Sequence, residues 1–556
     1  MMTDKETGSI SRTDSGSPTF SVAPSISANP NPRVPLAAIL RFTVDKEVRT
    51  FVQVSDGERK WEIDFDDSHK PQDGLPILGM RPDRQHRFRV SIRDKAGNKT
   101  RAPEALEFTT PPLPPGPREW PPIQVNVSKP DQMEPGITLM NIRRRVPGRM
   151  MLISKAQRAF MTSWSLLVAL DAEGEVVWYY QANSRLAGFD LLQNGHLFYL
   201  TTDFRAVEID MLGNKIAEWY AARRPQGPAE GAVPVDVQTI HHQPHELPWG
   251  NFLVMTAYSK EIEDFYTSET DPEAPRCKAK VMGDDIVEFR RDGSIAWHWN
   301  SFEHLDPYRI GYLALNPYWK VRGFPGHEDW THGNGLCYDE RDDAVLISLR
   351  KQCAFVKVDR KTGEVRWILG DHHGWPDRLK NKLLKPVGEF RWPYYGHNPR
   401  VTPAGTVLVW DNGIMQALPF DGKPKLPPHE TYSRAVEYAI DEDKMTIREV
   451  WASEDSAGSD LAHSNAMGDV HWMPQTGNVL VFYGACAAKR DDMSYDLKDI
   501  RYILEFPMWT RVREFTHTNP PEIIFEVVVA DPDEILWWEC FGGLRVPGLY
   551  SRKKVV

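Results

Sequence analysis

The segments YDERDDAVLISLR (338–350) and KVDRKTGEVRWIL (357–369) show the unit from which most of this chain is built. The first has a charged turn followed by a short run of Val, Ile and Leu. The second is a strand, a Gly turn and a further strand that contains Trp367. Short apolar runs bounded by turn residues indicate buried β-strands. The two segments therefore predict two successive hairpins, which together form one four-stranded antiparallel sheet.

Both segment types recur in alternation along the chain. The first type recurs as LLQNGHLFYLTT (191–202), ELPWGNFLVMTAY (246–258), VTPAGTVLVWDNG (401–413) and MPQTGNVLVFYGA (473–485). The second recurs as ALDAEGEVVWYY (169–180), EIDMLGNKIAEWY (208–220), EFRRDGSIAWHW (288–299) and YAIDEDKMTIREVWA (438–452). With residues 137–164 completing the first copy and 502–529 the last, the chain contains six copies.

A single four-stranded sheet cannot bury both of its faces, so the copies must stack on one another. Radial stacking of such sheets gives a β-propeller. We therefore predict an all-β chain whose residues 135–556 form a six-bladed β-propeller. The tryptophan near the end of each second hairpin is expected to pack between neighbouring blades.

Three segments precede the repeats. Residues 1–33 are rich in Ser, Thr, Pro, Asn and Gly, which predicts a disordered tail. Residues 34–112 contain five short strand-like runs separated by turns, as is typical of a small immunoglobulin- or fibronectin-like β-sandwich. The proline-rich stretch PPLPPGPREWPP (111–122) extends into residues 113–134. We interpret residues 113–134 as a linker and lead-in to the propeller.

Composition argues against several functions. The formal net charge of −10 argues against a general nucleic-acid binder, because neutralising phosphates needs a basic face. Five cysteines without a CxxC spacing argue against a disulfide framework and a cysteine-based zinc site. No run of about 18 apolar residues occurs, so no membrane span is expected. The first residues lack the apolar core of a secretory signal, and the sequence on this ground predicts a cytoplasmic protein.

Histidines lie just before or within the inner strands of four predicted blades. They occur in TIHHQPHELP (239–248), WTHGNG (330–335), YYGHNPRVTP (394–403) and SNAMGDVHWMP (464–474), with His463 directly before the last of these. In a propeller these segments lead into one mouth of the ring. We therefore expect imidazoles from successive blades to converge there with Arg350, which ends the apolar run 344–349. The candidate histidines are His241, His242, His332, His397, His463 and His471.

Two chemistries suit several imidazoles and one guanidinium. In group transfer, a neutral imidazole attacks sulfur or phosphorus while Arg350 and other imidazoles hold the oxygens that gain charge. In the alternative, a transition metal is bound by His242, His332, His397 and His471, as in a metal-dependent lyase or oxygenase.

The spacing of the histidines alone does not distinguish group transfer from metal binding. An imidazole that binds a metal often donates its second ring N–H to a carboxylate. Asp469 and Glu246 are the only carboxylates expected near the cluster. A non-catalytic propeller that binds a ligand is a third reading.

Four stretches resemble the bacterial arylsulfotransferases, also called aryl-sulfate sulfotransferases. They are HHQPHELPWGNFLV (241–254), DWTHGNGLCYDERDDAVLISLR (329–350), EVRWILGDHHGWP (364–376) and GHNPRVTPAGTVLVWDNG (396–413). The resemblance extends from the small N-terminal domain through all six repeats. It implies that a sulfuryl group passes from a phenolic sulfate ester to a phenolic acceptor without the nucleotide donor PAPS. It further implies ping-pong transfer through a sulfohistidine and no cofactor.

The resemblance also implies a role for each matching residue. His397 would carry the sulfuryl group, while His332 and Arg350 would bind its oxygens and stabilise the transition state. His242, more than its neighbour His241, would exchange a proton with the phenol. The predicted substrate-binding residues are His241, Asn334 and His471, of which His471 is predicted from its inner-strand position and not from the resemblance. The predicted partners are a small aromatic sulfate donor and a phenolic acceptor, with a homodimer as a candidate assembly.

Overall fold

The computed structural model describes residues 16–148, 153–453, 463–487, 492–496 and 505–551. The chain divides into two compact units, residues 1–113 and 114–556. Among the described residues, the helices are α1 (Lys155–Thr162) and α2 (Ser301–His304). Short 3-10 turns occupy Pro130–Gln132, Lys320–Arg322, Arg350–Gln352, Asp377–Lys382 and Pro428–Glu430. Neither of the two helices is long and apolar enough to span a membrane.

The first unit consists of two antiparallel sheets. Its strands are β1 (Phe20–Ala28), β2 (Ala38–Val44), β3 (Arg49–Ser55), β4 (Lys60–Phe65), β5 (Leu75–Ile77), β6 (Gln85–Arg93), β7 (Lys99–Arg101) and β8 (Leu106–Thr109). One sheet has the order β1-β2-β5, and the other has the order β4-β3-β6 with β7 and β8 both paired to β6. The five predicted strands are all present, and β3, β4 and β6 show the alternating burial expected of half-buried strands.

The prediction of a disordered tail over residues 1–33 is wrong for part of that segment. Strand β1 pairs with β2 from Phe20 opposite Val44 to Ala28 opposite Ala38. Its polar sequence, FSVAPSISA, is mostly exposed, which is why its composition gives no strand signal. Main-chain hydrogen bonds to β2 hold it instead. Residues 1–15 of the predicted tail lie outside the described residues.

The second unit contains six sheets within the described residues, and they match the six predicted repeats. Strand β9 (Ile123–Ser128) comes first. Blade 1 has β10 (Ile137–Arg145), β11 (Ser165–Leu170) and β12 (Val176–Ala182), and blade 2 has β13 (Leu186–Leu191), β14 (Leu197–Thr201), β15 (Arg205–Ile209), β16 (Lys215–Ala221) and β17 (Val233–Val235). Blade 3 has β18 (His241–Glu246), β19 (Phe252–Phe265), β20 (Cys277–Phe289), β21 (Ile295–Asn300) and β22 (His327–Asp329).

The remaining blades follow the same plan. Blade 4 has β23 (Gly333–Asp339), β24 (Ala344–Leu349), β25 (Ala354–Asp359) and β26 (Val365–Gly370). Blade 5 has β27 (Lys385–Pro386), β28 (His397–Val401), β29 (Val407–Asp411), β30 (Arg434–Asp441) and β31 (Thr446–Ala452). Blade 6 has β32 (His463–Ser464), β33 (Asp469–Trp472), β34 (Val479–Ala487), β35 (Met508–Phe515) and β36 (Ile523–Val529). The last two strands in the described part of the chain are β37 (Trp537–Glu539) and β38 (Gly543–Val546).

A tryptophan near the end of each of five blades connects that blade to the next one, as the repeat pattern predicts. Each indole N–H donates to an oxygen in the outer hairpin turn of the following blade, which joins β15 to β16, β20 to β21, β25 to β26, β30 to β31 or β35 to β36. The pairs are Trp178 to Met211, Trp219 to Arg291, Trp299 to Gly363, Trp367 to Glu442 and Trp451 to Thr518, at 2.9–3.1 Å. Each buried ring contributes about 1.5–3 kcal/mol through burial, and its hydrogen bond about 1 kcal/mol more.

Blade 6 has no tryptophan at the corresponding position, and the start of the second unit takes its place. Strand β9 pairs with β36 as the outermost strand of blade 6. The Ser128 hydroxyl of β9 donates to the Ala172 carbonyl in the turn of blade 1, at 2.8 Å. At the other end of the chain, β37 and β38 pair with β10 of blade 1. Both termini of the unit therefore join blade 6 to blade 1, and the second unit is a six-bladed propeller.

Candidate functional site

The predicted histidines and arginine lie at corresponding ends of three neighbouring blades. His242 is the second residue of β18, His332 immediately precedes β23, and His397 is the first residue of β28. Arg350 follows directly after β24, so it lies at the same end of blade 4 as His332. The backbone N–H of Arg350 donates to the His332 carbonyl at 3.2 Å. The propeller topology thus brings these four residues to one pocket.

Four residues at this end of the inner strands have left-handed backbone conformations. The φ angles are +62° at His242, +48° at His332, +42° at Asn398 and +61° at Met467. A positive φ is uncommon outside glycine and costs roughly 1–3 kcal/mol when the surroundings impose it. Its repetition in blades 3, 4, 5 and 6 indicates that the pocket is built at some cost in backbone strain.

His397 is 2% exposed and has a partner on each ring nitrogen. Its Nδ1 lies 2.6 Å from Oδ1 of Asn412, and its Nε2 accepts the backbone N–H of Met467 at 3.1 Å. Burial, reinforced by the charge of Arg350, holds the pKa of His397 well below its usual value. The ring is therefore neutral at pH 7.

Asn412 fixes the tautomer of His397. Its side-chain nitrogen donates to the carbonyls of Ser464 and Met467, at 2.7 and 3.1 Å. The amide therefore presents its oxygen to His397, and that oxygen needs a proton on Nδ1. The Nε2 atom is left with the lone pair, and it is the nitrogen from which His397 can act as a nucleophile.

His332 lies between a carboxylate and the pocket. Its Nδ1 is 2.7 Å from Oδ2 of Asp329, and the same oxygen is 2.6 Å from the ammonium group of Lys351. Burial lowers the pKa of His332 to about 4, although Asp329 opposes this shift. The pKa of Asp329 itself is lowered despite burial, because His332 and Lys351 favour its charged form. The Nε2 atom of His332 is thus directed away from Asp329.

His242 contacts two other imidazoles. Its Nδ1 lies 2.6 Å from Nδ1 of His241, and its ring centre is 5.3 Å from that of His332. Burial is the main cause that lowers the pKa of His242 well below its usual value, and the charges of His241 and His332 add to it. Burial likewise lowers the pKa of His241 to about 3.

Asp284 lies behind His241. One carboxylate oxygen accepts hydrogen bonds from the Thr331 hydroxyl and the Gly333 N–H. The other, Oδ1, faces Nε2 of His241 at 3.5 Å. Burial raises the pKa of Asp284 to about 7, against the effect of its hydrogen bonds. Asp284 can therefore gain or lose a proton near neutral pH.

Arg350 and Asn334 supply polar groups around the pocket. The Arg350 guanidinium donates to the Asn465 carbonyl at 3.1 Å and lies 5.2 Å from the centre of the Tyr395 ring. It forms no ion pair with the described residues, so its charge is available to an anion. Asn334 is fully buried and donates to the Gly396 carbonyl at 3.0 Å, which connects blade 4 to blade 5.

Aromatic rings border the histidines. The Tyr318 ring lies 4.3 Å from that of His332, and Phe541 lies 5.7 Å from His242. The Arg322 guanidinium stacks over Tyr318 at 3.6 Å. Tyr318 belongs to the long insertion 304–330, which the sequence marks as rich in Pro, Trp and Tyr. Such rings can stack on an aromatic substrate.

The structure does not bring His471 into this cluster. His471 lies on β33, and its Nε2 is 3.2 Å from Asp469. Its ring neighbour is Phe482, at 6.2 Å. His463 is buried elsewhere, between Thr431 and the Tyr495 hydroxyl.

The carboxylates expected near the cluster are also different from those found. Asp469 pairs with Arg400 at 3.0 Å, and Glu246 accepts the Gln193 N–H at 2.7 Å. Asp284 and Asp329 stand behind the histidines instead. Across the described part of the chain, no group of three His, Cys, Asp or Glu side chains is arranged to hold a metal ion.

Sequence reasoning missed the residues that orient the histidines. Asp329 and Asn412 do lie in quoted stretches, DWTHGNG and WDNG, so the signal is their position beside the candidate histidines. Lys351 directly follows Arg350, and its residue type predicts an exposed position. Asp284 lies in the middle of β20 with no local pattern to single it out.

The fold and the site together define a β-propeller protein with a buried cluster of histidines and one arginine at one end of its inner strands. Residues 123–520 match the family described as Arylsulfotransferase (ASST), and residues 25–111 match the Arylsulfotransferase Ig-like domain. The chain belongs to the arylsulfotransferase family.

Two curated relatives carry the name arylsulfate sulfotransferase AssT. The protein from Escherichia coli O6:H1 is 27% identical over 345 residues, which cover 52% of this chain and 53% of the relative. The protein from Lelliottia amnigena is 26% identical over 396 residues, which cover 60% of this chain and 61% of the relative. The matched region thus spans between about half and three fifths of these relatives.

Solved structures give weaker likenesses. A streptogramin B lyase matches with a TM-score of 0.29 and 10% identity, covering 78% of this chain and 94% of its own. A luciferin-regenerating enzyme matches with a TM-score of 0.33 and 9% identity, covering 76% and 99%. These scores are too low to support an argument about function.

Proposed function

We propose that this protein transfers a sulfuryl group from an aryl sulfate ester to a phenolic acceptor, without PAPS, by a ping-pong mechanism through sulfated His397. Family membership and the named relatives support the reaction class. The observation that carries the proposal is the contact between His397 and Asn412, which leaves a neutral, buried Nε2 as a nucleophile beside the Arg350 cation.

In the first half-reaction, the lone pair on Nε2 of His397 forms a bond to sulfur, and the bond from sulfur to the aryl oxygen breaks. The electron pair leaves with the phenolate, which takes a proton from His242. The proton on Nδ1 stays on His397 and is shared with Asn412, which stabilises the positive charge of the sulfated ring. In the second half-reaction an acceptor phenol gives its proton to His242 and attacks sulfur, and the N–S bond breaks.

The charge that develops on the sulfuryl oxygens needs donors. Arg350 provides a cationic fork that pairs with no carboxylate in the described part of the chain, which suits a tetrahedral anion. His332 lies across the pocket with its Nε2 free of Asp329 and can donate once it is protonated. The Met467 N–H, which contacts Nε2 of the free nucleophile, can turn to a sulfuryl oxygen after the N–S bond has formed. Positioned donors of this kind each contribute about 3–4 kcal/mol in other enzymes.

The proposed reaction needs no metal ion. The Nδ1 atoms of His397 and His332 contact Asn412 and Asp329, and those of His241 and His242 contact each other. These contacts suit side chains that are oriented for proton and group transfer. Elemental analysis of purified protein, with activity measured after chelation, tests this point. Stoichiometric metal together with loss of activity on its removal would favour the metal-dependent alternative.

The decisive experiment is intact-mass spectrometry after incubation with p-nitrophenyl sulfate and no acceptor. We expect the mass of one sulfuryl group, mapped to His397, and its loss when phenol is added. His397→Ala should gain no mass, while His471→Ala, outside the cluster, should behave as wild type. Binding of the ester without transfer would support a ligand-binding propeller and contradict the proposed function.

A further inference from the structure

His242 cannot serve as a simple cationic acid. Burial and the neighbouring charges of His241 and His332 keep the pKa of its imidazolium far below 7. The sulfuryl transfer proposed above nevertheless requires His242 to give a proton to the departing phenolate. A neutral imidazole can give its Nε2 proton only if its Nδ1 receives another at the same time. The source of that second proton must therefore touch Nδ1.

The atom at that position is Nδ1 of His241, at 2.6 Å. At such a distance one nitrogen carries the proton and the other accepts it, because two protons or two lone pairs would repel. When Nδ1 of His242 is the acceptor, the ring carries its proton on Nε2, where the substrate would bind. In that arrangement His241 carries its proton on Nδ1, and its Nε2 has a lone pair.

The lone pair of His241 Nε2 faces Oδ1 of Asp284 at 3.5 Å. Both atoms are buried, and neither has a hydrogen-bond partner among the described residues. Two acceptors that face each other in the interior without partners destabilise the folded protein. A proton on Oδ1 removes that cost, since Asp284 then donates to His241. Its other oxygen keeps the bonds from Thr331 and Gly333.

We propose that Asp284 and His241 form a proton relay that supplies His242 with a proton when the donor reacts and takes it back when the acceptor reacts. This proposal rests on the sulfuryl transfer described above. As the phenolate leaves, it takes the Nε2 proton of His242. His242 takes the Nδ1 proton of His241, and His241 takes the Oδ1 proton of Asp284. Asp284 ends as a carboxylate. When the acceptor phenol reacts, every proton moves back, so protons balance over the full cycle.

The surroundings of Asp284 suit both of its protonation states. Its pKa of about 7 follows from burial, and the charges of Asp329 and Asp285 act in the same direction. The hydrogen bonds from Thr331 and Gly333 stabilise the carboxylate that forms when the phenolate leaves. The charged and titratable groups that face His241 from neighbouring elements are His332, Arg322 and Asp329, and the Thr256 backbone also lies against its ring.

Asp284→Asn tests the relay, because the amide can accept from Thr331 and Gly333 and donate to His241 but cannot ionise. The rate of sulfated-protein formation should fall about 100-fold with phenyl sulfate, whose leaving group needs a proton. It should stay close to the wild-type rate with p-nitrophenyl sulfate, whose more acidic phenol leaves unaided. The matched control is Asp292→Asn in the exposed turn that follows β20, which should leave both rates unchanged.

Equal losses with both donors, or no loss with either, would overturn the relay. The wild-type protein provides a second measurement that needs no variant to fold. Rates with phenyl sulfate in mixtures of H2O and D2O should follow a curved dependence, since several protons move together, and a linear dependence would contradict the proposal. Wild-type protein that forms no sulfated species with p-nitrophenyl sulfate would instead overturn the proposed function itself.

Discussion

Nδ1 of His397 lies 2.6 Å from Oδ1 of Asn412, and the Asn412 side-chain nitrogen donates to the Ser464 and Met467 carbonyls. The amide orientation is therefore set by blade 6, while the histidine belongs to blade 5. The contact between the two blades thus selects which nitrogen of His397 carries the lone pair, and the proposed role of that nitrogen has several measurable consequences.

The first prediction concerns Asn412 itself. Asn412→Leu removes the acceptor for His397 Nδ1 and the amide that donates to the Ser464 and Met467 carbonyls. We expect single-turnover sulfation of His397 to slow by about 10–100-fold, as for other residues that orient a reactive side chain. The free energy of unfolding should fall by about 1–3 kcal/mol. Rapid-quench mass spectrometry and urea unfolding measure the two effects.

Asn98→Leu is the matched control, because Asn98 bonds only Asp94 in a turn of the first unit. It should leave the sulfation rate unchanged. An Asn412→Leu protein that sulfates His397 at the wild-type rate would show that the tautomer is set in another way.

The second prediction concerns the planar fork of Arg350. Arg350→Lys keeps the charge but loses the guanidinium that contacts the Asn465 carbonyl and faces the pocket. A charged hydrogen bond contributes about 1.5–3 kcal/mol, so kcat/KM for p-nitrophenyl sulfate should fall about 10–100-fold. Arg290→Lys, an exposed arginine beside Ser294, is the control. A change of less than about twofold in Arg350→Lys would exclude a role in binding sulfuryl oxygens.

The third prediction concerns proton uptake at His332. Its pKa of about 4 makes it neutral in the free protein at pH 6. A sulfate ester beside Nε2 favours the charged imidazolium and raises this pKa, so binding takes up a proton between the free and bound pKa values. Donor affinity should therefore weaken as pH rises through that window.

Calorimetry of the His397→Ala protein with p-nitrophenyl sulfate, in buffers of different ionisation enthalpy, measures this uptake without turnover. About one proton per ester is expected near pH 6. The double variant that also carries His332→Gln should take up none. Equal uptake by both proteins would place the proton on another group.

The fourth prediction concerns ring closure. Arg545 of β38 donates to the Thr138 hydroxyl of blade 1 at 2.9 Å and pairs with Glu514 of blade 6 at 3.1 Å. Arg545→Met leaves the Glu514 carboxylate buried without its partner, which costs about 3–5 kcal/mol of unfolding free energy. Urea unfolding measures this loss, with Arg290→Met as the surface control.

The same variant should show a pH dependence with a definite sign. Burial already raises the pKa of Glu514 with Arg545 present, and loss of that cation raises it further. Because a neutral carboxyl is cheaper to bury, the difference in stability between Arg545→Met and wild type should shrink as pH falls. A difference that is constant with pH would assign the loss to packing alone.

The repeats by themselves determined the all-β class, the six blades and the tryptophan contacts between blades. These features follow from alternation and turn residues within a few positions of each other, which a sequence shows directly. The convergence of His242, His332 and His397 also followed, since equivalent positions in successive blades must meet at one mouth. Polar strand β1, held mainly by main-chain bonds to β2, gave no such signal.

Contacts that form only in the folded chain determine which side chains orient these histidines and which histidines lie apart from them. Asp284 reaches His241 from another strand, and Asn412 reaches His397 across a hairpin. His471 shares the inner-strand pattern yet pairs with Asp469 outside the cluster. The reason is physical: side-chain direction and the tautomer of an imidazole depend on contacts between residues distant in sequence. Local periodicity carries no information about such contacts.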